Sequence, residues 1–264
     1  MLHVVPHPLL AESPGEREEL REGWADPTPD ATKEVVLHVP EALPDSVDAV
    51  RQYVADTNID LVVTDVPPGR RPVPPLAAEA TRALLEQLDC PVFVVDRLED
   101  PSEVHNLLVP TDLSDPARRA FRHAVSLARL YDAAVHVLHV VESIPYVALT
   151  PTDRLSLGPN PLAEHRGRRR LQSFLREGEA AEVPVHAHLA YGDAAEQVCR
   201  FPTQTEVDLL VLASHGQGNH WAAPLGQVAE RVLDRAACPL FLVRAYGTSL
   251  LAASPDVESS AGTE

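Results

Sequence analysis

The sequence predicts an α/β protein made of two tandem copies of one parallel-sheet unit, and three observations carry that reading. Leu61–Val95 (LVVTDVPPGRRPVPPLAAEATRALLEQLDCPVFVV) and Leu209–Val243 (LLVLASHGQGNHWAAPLGQVAERVLDRAACPLFLV) align without a gap at a constant offset. Each runs apolar strand, glycine or proline loop, helix, Cys-Pro, apolar strand, as a duplicated unit requires. Continuous apolar runs alternate with helical stretches, the pattern of strands buried on both faces of a parallel sheet. The 264 residues are enough for two domains of ordinary size.

The C-terminal copy, residues 104–246, contains every element. Val104–Pro110 (VHNLLVP) is its first strand. Thr111–Pro116 is a loop opening a helix, with Asp115 as the expected N-cap and Pro116 suited to the first helical position. Ala117, Phe121, Ala124, Val125 and Ala128 then recur at helical spacing. Ala133–Val141 is the second strand. Ser143–Arg170 leaves as a proline-bearing excursion and becomes a basic helix near His165, running to about Gly178. Pro184–Leu189, Val207–Leu212 and Pro239–Val243 follow as strands, with helices over Gly192–Phe201 and Leu225–Arg235.

The N-terminal copy, residues 1–98, is shorter. Leu2–Val5 (LHVV) matches Leu138–Val141 (LHVV), so the chain opens on the second strand of the unit. Val35–Val39, Ile59–Thr64 and Val92–Val95 are its further strands, with helices over Ser46–Ala55 and Ala77–Leu88. Nothing corresponds to the first strand and helix. Either the chain as given starts after them, or this copy closes its sheet without them. Asp96–Glu103 is the linker between the copies. Residues 247–264 end the chain in small, polar and acidic residues, the composition of a disordered tail.

A formal charge of −17 from 22 Lys+Arg against 39 Asp+Glu argues against nucleic-acid binding, since phosphates would be repelled over most of the surface. Cys90, Cys199 and Cys238 have neither metal-ligand nor disulfide spacing, which predicts a reducing cytoplasm. No apolar run reaches the roughly 20 residues of a bilayer span, so no membrane is expected.

VPTDLSD at Val109–Asp115, the HVV closing the second strand, ASHG at Ala213–Gly216 and LGQVAERVLDRAACPLFLV at Leu225–Val243 together resemble the universal stress protein (UspA-like) family. The likeness covers Val104–Arg244 well and Met1–Asp96 in degenerate form. It implies tandem Rossmann-like (adenine nucleotide alpha hydrolase-like) domains with parallel sheets of order 3-2-1-4-5, the first lacking its first strand and helix. It also implies pairing of the domains through their last strands, with a homodimer and an unidentified protein partner left open.

In some family members ATP binds at the carboxyl ends of the strands, and the family's nucleotide motif is Gly, two residues, Gly, nine residues, Gly, then Ser or Thr. Here Ala213, Gly216, Gly226 and Gln227 stand at the four positions. The site implied is Pro110, Thr111, Asp112, Val141, Ala213, His215, Gly216, Gly226, Gln227 and Val228, holding ATP with its Mg²⁺ in the second domain only. Asp112 matches a carboxylate that holds the adenosine part, and Val141 a backbone contact to the base. Ala213 is harmless if its dihedrals are ordinary and obstructive otherwise. Gln227 keeps an amide donor but could itself fill the phosphate space. Asn219 and His220 lie where a triphosphate would extend. In the first copy the equivalents are Asp65, Pro68, Ala78 and Glu79, so that site is expected to be dead.

No GxxxxGK[ST], HExxH or GxSxG occurs. His186 and His188 face one side of a strand beside that of His136 and His139, and are read as locally satisfied residues rather than a metal site. No residue offers a general base beside the phosphates, so the protein is at most a weak ATPase. Two readings remain: a stress-response regulator responding to nucleotide, or a nucleotide-independent scaffold organised by its last strands. Trp221 suits either, as a lid or a partner hot spot. Arg166, Arg168, Arg169 and Arg170 form an exposed basic face, or else Arg166 or Arg169 folds back to lend charge to the phosphate site.

Overall fold

The computed structural model describes residues 2–6, 35–39, 50–52, 54–55, 61–65, 82–85, 87–95, 104–142, 161–178, 180, 182–217 and 225–247. Its strands are β1 (Leu2–Pro6), β2 (Val35–Val39), β3 (Val62–Asp65), β4 (Val92–Val95), β5 (Asn106–Thr111), β6 (Ala134–Val141), β7 (Val185–Tyr191), β8 (Leu209–Ala213) and β9 (Leu240–Val243). The described residues of the C-terminal half include the helices α1 (Asp115–Tyr131), α2 (Pro161–Arg176), α3 (Ala194–Arg200) and α4 (Gln227–Leu233). A 3₁₀ turn, Phe201–Thr203, follows α3. Residues 50–52, 54–55, 82–85 and 87 are helical as well.

The expectation of two separate sheets, each of order 3-2-1-4-5, is corrected. All nine strands form one continuous mixed sheet in the order β2-β1-β3-β4-β9-β8-β5-β6-β7. Every pairing is parallel except β4 with β9, where Val92, Phe93 and Val94 stand opposite Leu242, Phe241 and Leu240. The physical reason lies in the edges. A parallel unit ending on β4 or β9 would expose a row of unpaired N–H and C=O groups on a wholly apolar strand, and pairing the two removes both edges. In the N-terminal half β1 pairs directly with β3.

Aligned positions of the sequence repeat meet at the junction. Phe93 and Phe241 align in the repeat and meet across it edge-on, with ring centroids 5.8 Å apart. Arg82 and Glu230 also align and attract at 3.5 Å, while Arg82 also binds Asp234 at 2.6 Å. One apolar core crosses the junction on the α3–α4 face, joining Val62, Leu85, Leu88, Val92 and Val94 to Leu240, Leu242 and Val232. A second, on the α1–α2 face, holds Leu107, Val109, Phe121, Val135, Val137, Phe174 and Phe241. Cys90 and Cys238 are buried in the first core.

The first helix begins one residue earlier than expected: Ser114, not Asp115, is its N-cap, accepting from the Ala117 N–H at 3.3 Å. Ser114→Ala is expected to cost about 1 kcal/mol, the usual worth of such a cap, read as a lower denaturation midpoint in urea. Gly247 is held by Arg119, whose guanidinium donates to its carbonyl at 2.6 Å; the rest of the expected tail lies outside the described residues. Among the described residues no helix is long and apolar enough to cross a membrane.

Candidate functional site

The chain leaves β5 toward β6 and β7 on one side and returns to β8 on the other. The carboxyl ends of β5 and β8 therefore flank the point where strand order reverses, the usual crevice for ligands in an open α/β sheet. Pro110 and Thr111 end β5, with Asp112 next. Ala213 ends β8, followed by Ser214, His215 and Gly216. Val141 ends β6, and Gly226, Gln227 and Val228 begin α4.

Asp112 is the hub of this arrangement. Its Oδ1 accepts from the Ser114 N–H at 3.0 Å and from the Ser114 hydroxyl at 2.5 Å. Its Oδ2 accepts from the Gln217 N–H at 2.6 Å, and the Gln217 side-chain amide donates back to the Asp112 carbonyl at 2.6 Å. The intervening Leu113 takes a φ of 69°, an unusual conformation for a branched side chain. The loop after β5 is thus latched to the loop after β8.

That latch explains Gly216. A Cβ placed there would lie under 3.0 Å from Asp112 Oδ2, so only glycine lets the carboxylate cross its backbone to reach the next amide. Gly226 differs: it caps α4 with φ −68° and ψ 151°, and an added Cβ would come no closer than 3.5 Å to its neighbours. The departure at Ala213 is harmless to the fold. Its φ is not positive, and the residue is buried within the α1-side core, where a methyl group is welcome. Gln227 is exposed in the first turn of α4.

Three supports escaped sequence reasoning. Fully buried Ser214 accepts from the Ala245 N–H at 3.1 Å and lies 3.0 Å from His215 Nδ1, orienting that ring. His139 donates from Nδ1 to the Thr111 carbonyl at 2.9 Å, fixing the last peptide of β5. Gln217 acts through its side-chain amide and its backbone N–H alike, and the latter carries no side-chain signal. The Val141 carbonyl is engaged by the Gly192 N–H at 3.2 Å, and its side chain packs toward Gly167 of α2.

Of the other residues singled out by sequence, Asn219, His220, Trp221, Pro68, Ala78 and Glu79 lie outside the described residues. Arg166, Arg168, Arg169 and Arg170 are exposed on α2, with Arg168 paired to Glu164 at 2.7 Å. His136 and His188 are in contact, whereas His139 projects from the opposite face. Among the described residues no group of three or more His, Cys, Asp or Glu is disposed to hold a metal ion.

Comparison with known proteins agrees with this architecture. The universal stress protein MJ0531 of Methanocaldococcus jannaschii is 30% identical over 138 residues, covering 52% of this chain and 81% of that protein. MJ0577 of the same organism is 24% identical over 154 residues, covering 52% of this chain and 93% of that protein. A universal stress protein structure from Archaeoglobus fulgidus superposes with a TM-score of 0.59 over 88% of this chain and 77% of that one, at 18% identity, a likeness of fold. The family model described as "Universal stress protein family" matches residues 103–244, more than half of the chain. The chain belongs to the universal stress protein family.

Proposed function

We propose that this is a tandem universal stress protein, with residues 1–98 a degenerate copy and 104–246 the complete one. In this reading it acts as a stress-response regulator that binds ATP, with Mg²⁺, in the second copy alone. The observation that carries it is the Asp112–Gly216 contact: a carboxylate resting on a glycine loop at the switch point of a parallel sheet. A carboxylate is a hydrogen-bond acceptor suited to ribose hydroxyls or an adenine amino group, and a loop lacking a Cβ admits a ligand close to its backbone. Pro110, Thr111, Val141, Ala213, His215, Gly226, Gln227 and Val228 line the same site in this proposal. The role in this reading is binding rather than turnover, with Asp112 serving the sugar end.

A second reading, a nucleotide-independent scaffold, draws on one feature of the same latch. Asp112 already accepts three hydrogen bonds, from Ser114 and Gln217, which leaves an adenosine only about one of the carboxylate's roughly four acceptor sites. Titration calorimetry of the protein with MgATP, beside Asp112→Ala, separates the two. Micromolar binding that weakens at least tenfold, ~1.4 kcal/mol, in the variant supports the ATP site. Absence of heat and of thermal shift at millimolar ATP supports the scaffold.

A further inference from the structure

On the α3–α4 face, at the outer end of the sheet, three imidazoles crowd together. His136 on β6 stands opposite His186 on β7 in the strand register, with ring centroids 5.0 Å apart. His188, two residues further along β7, brings its Nε2 to 3.0 Å from His136 Nδ1. His136 Nε2 in turn lies 3.2 Å from Asn106 Oδ1 on β5. Phe201 covers the group, edge-on to His188 at 4.9 Å and 6.1 Å from His136.

The proton directions follow from the ends of this chain. Asn106 Oδ1 only accepts, so His136 donates from Nε2 and, when neutral, presents Nδ1 as an acceptor. His188 must then donate from Nε2. The row Asn106–His136–His188 thus ties β5, β6 and β7 together while both rings are neutral. A first proton from solvent fits on the free Nδ1 of His188, whose Nε2–H continues to donate. A second cannot be placed. On His136 Nδ1 it would face the His188 Nε2–H head-on, donor against donor between two cations.

We propose that the His136–His188 contact is a proton-operated fastener of the edge strand β7, closed near neutral pH and released when both rings are protonated. Among the described residues the charged groups acting on His136 and His188 are the histidines themselves, and the carboxylate at the Asn106 end, Asp208, is occupied by the His105 and Asn106 N–H groups at 2.9 Å. Burial first, then His188 and His186, holds His136 below the ordinary imidazole value of 6.5, and burial with His186 does the same for His188. Both depressions have one sign. The fastening is complete above pH 6.5 and is lost as pH falls below it through the depressed folded values. Release would bare the β6 edge and the Phe201 ring, a surface that neutral conditions keep covered, and needs no nucleotide.

The test is amide exchange of the whole protein, as protection factors corrected for intrinsic rate, at pH 7.5 and 5.0. Wild type should lose at least tenfold protection along Val185–Tyr191 at the lower pH, with β5 and β8 amides unchanged. His136→Gln and His188→Gln, which hydrogen-bond but do not titrate, should each reduce that loss to less than threefold. Equal protection of β7 at the two pH values overturns the proposal, and so does an undiminished loss in both variants. His123, buried on the opposite face and also shifted down by burial, would act on the whole fold. A fall spread evenly over β5, β8 and β7 would therefore assign the effect to it and overturn the proposal.

Discussion

An alanine at Gly178 is expected to destabilise the protein by about 1–3 kcal/mol, the usual cost of overfilling a packed core. Gly178 follows the C-terminal turn of α2, its N–H reaching the Leu175 carbonyl at 3.2 Å. The turn lands on the ring of Phe121, which is completely buried in α1. A Cβ on Gly178 would stand under 3.0 Å from two carbons of that ring. The ring has no room to retreat, because Phe174 backs it at 5.6 Å and Arg118 lies over Phe174 at 5.1 Å while reaching Glu177 at 2.5 Å. Either α2 lifts from the sheet or Phe121 leaves its rotamer. Urea denaturation should show the loss, and Phe121→Leu in the same chain should recover part of it, a coupling expected only of residues in contact. A Gly178→Ala protein within ~0.5 kcal/mol of wild type, the range of ordinary surface changes, would refute the assigned contact.

Gly216→Ala is expected to act on the latch and so on both stability and ligand binding. The new methyl group requires Asp112 to abandon the Gln217 N–H, and its Cγ, at 3.1 Å from the added carbon, leaves little scope for a small adjustment. Hydrogen bonds to charged groups are worth about 1.5–3 kcal/mol when well shielded. This one is exposed on the Gln217 side, so a loss of about 1–2 kcal/mol is the expected outcome. If ATP binds as proposed, its affinity should fall at least tenfold, since the carboxylate is turned away and the loop is filled. Gly226→Ala is the matched control. Its backbone conformation suits any residue, and stability should stay within ~0.5 kcal/mol of wild type. Equal stability losses in the two variants would show that glycine content, not the Asp112 crossing, sets the behaviour of the loop.

Much of the fold was legible because burial on both faces leaves a strong mark. Leu107–Val109, Leu209–Leu212 and Leu240–Val243 read as strands and are buried strands. The resemblance implied pairing through the last strands, and β4 does pair with β9. That this pairing merges the strands into one continuous sheet was not read from the sequence, because backbone donors carry no residue signature. The same limit hid the partner of Asp112. The carboxylate and Gly216 were both visible at family spacing, but the Gln217 N–H that joins them belongs to any residue. Cap assignment failed by one position because Ser114 and Asp115 are both good caps, and only the local turn decides between them. Parity along the strands was informative: His186 and His188 share a face, while His139 is turned from His136 toward Thr111.

The antiparallel seam between β4 and β9 also has a history in time. More than half of the chain lies between Val92 and Leu242, which meet in it. A ribosome adding roughly 5–20 residues per second leaves β4 waiting on the order of ten seconds or more for its partner to emerge. Throughout that interval the strand presents an apolar, unpaired border to every other nascent copy nearby. The feature that makes the finished molecule a single sheet therefore makes its synthesis the moment of greatest exposure. Crowded translation, more than heat or denaturant acting on the mature protein, is where a holding chaperone would matter most.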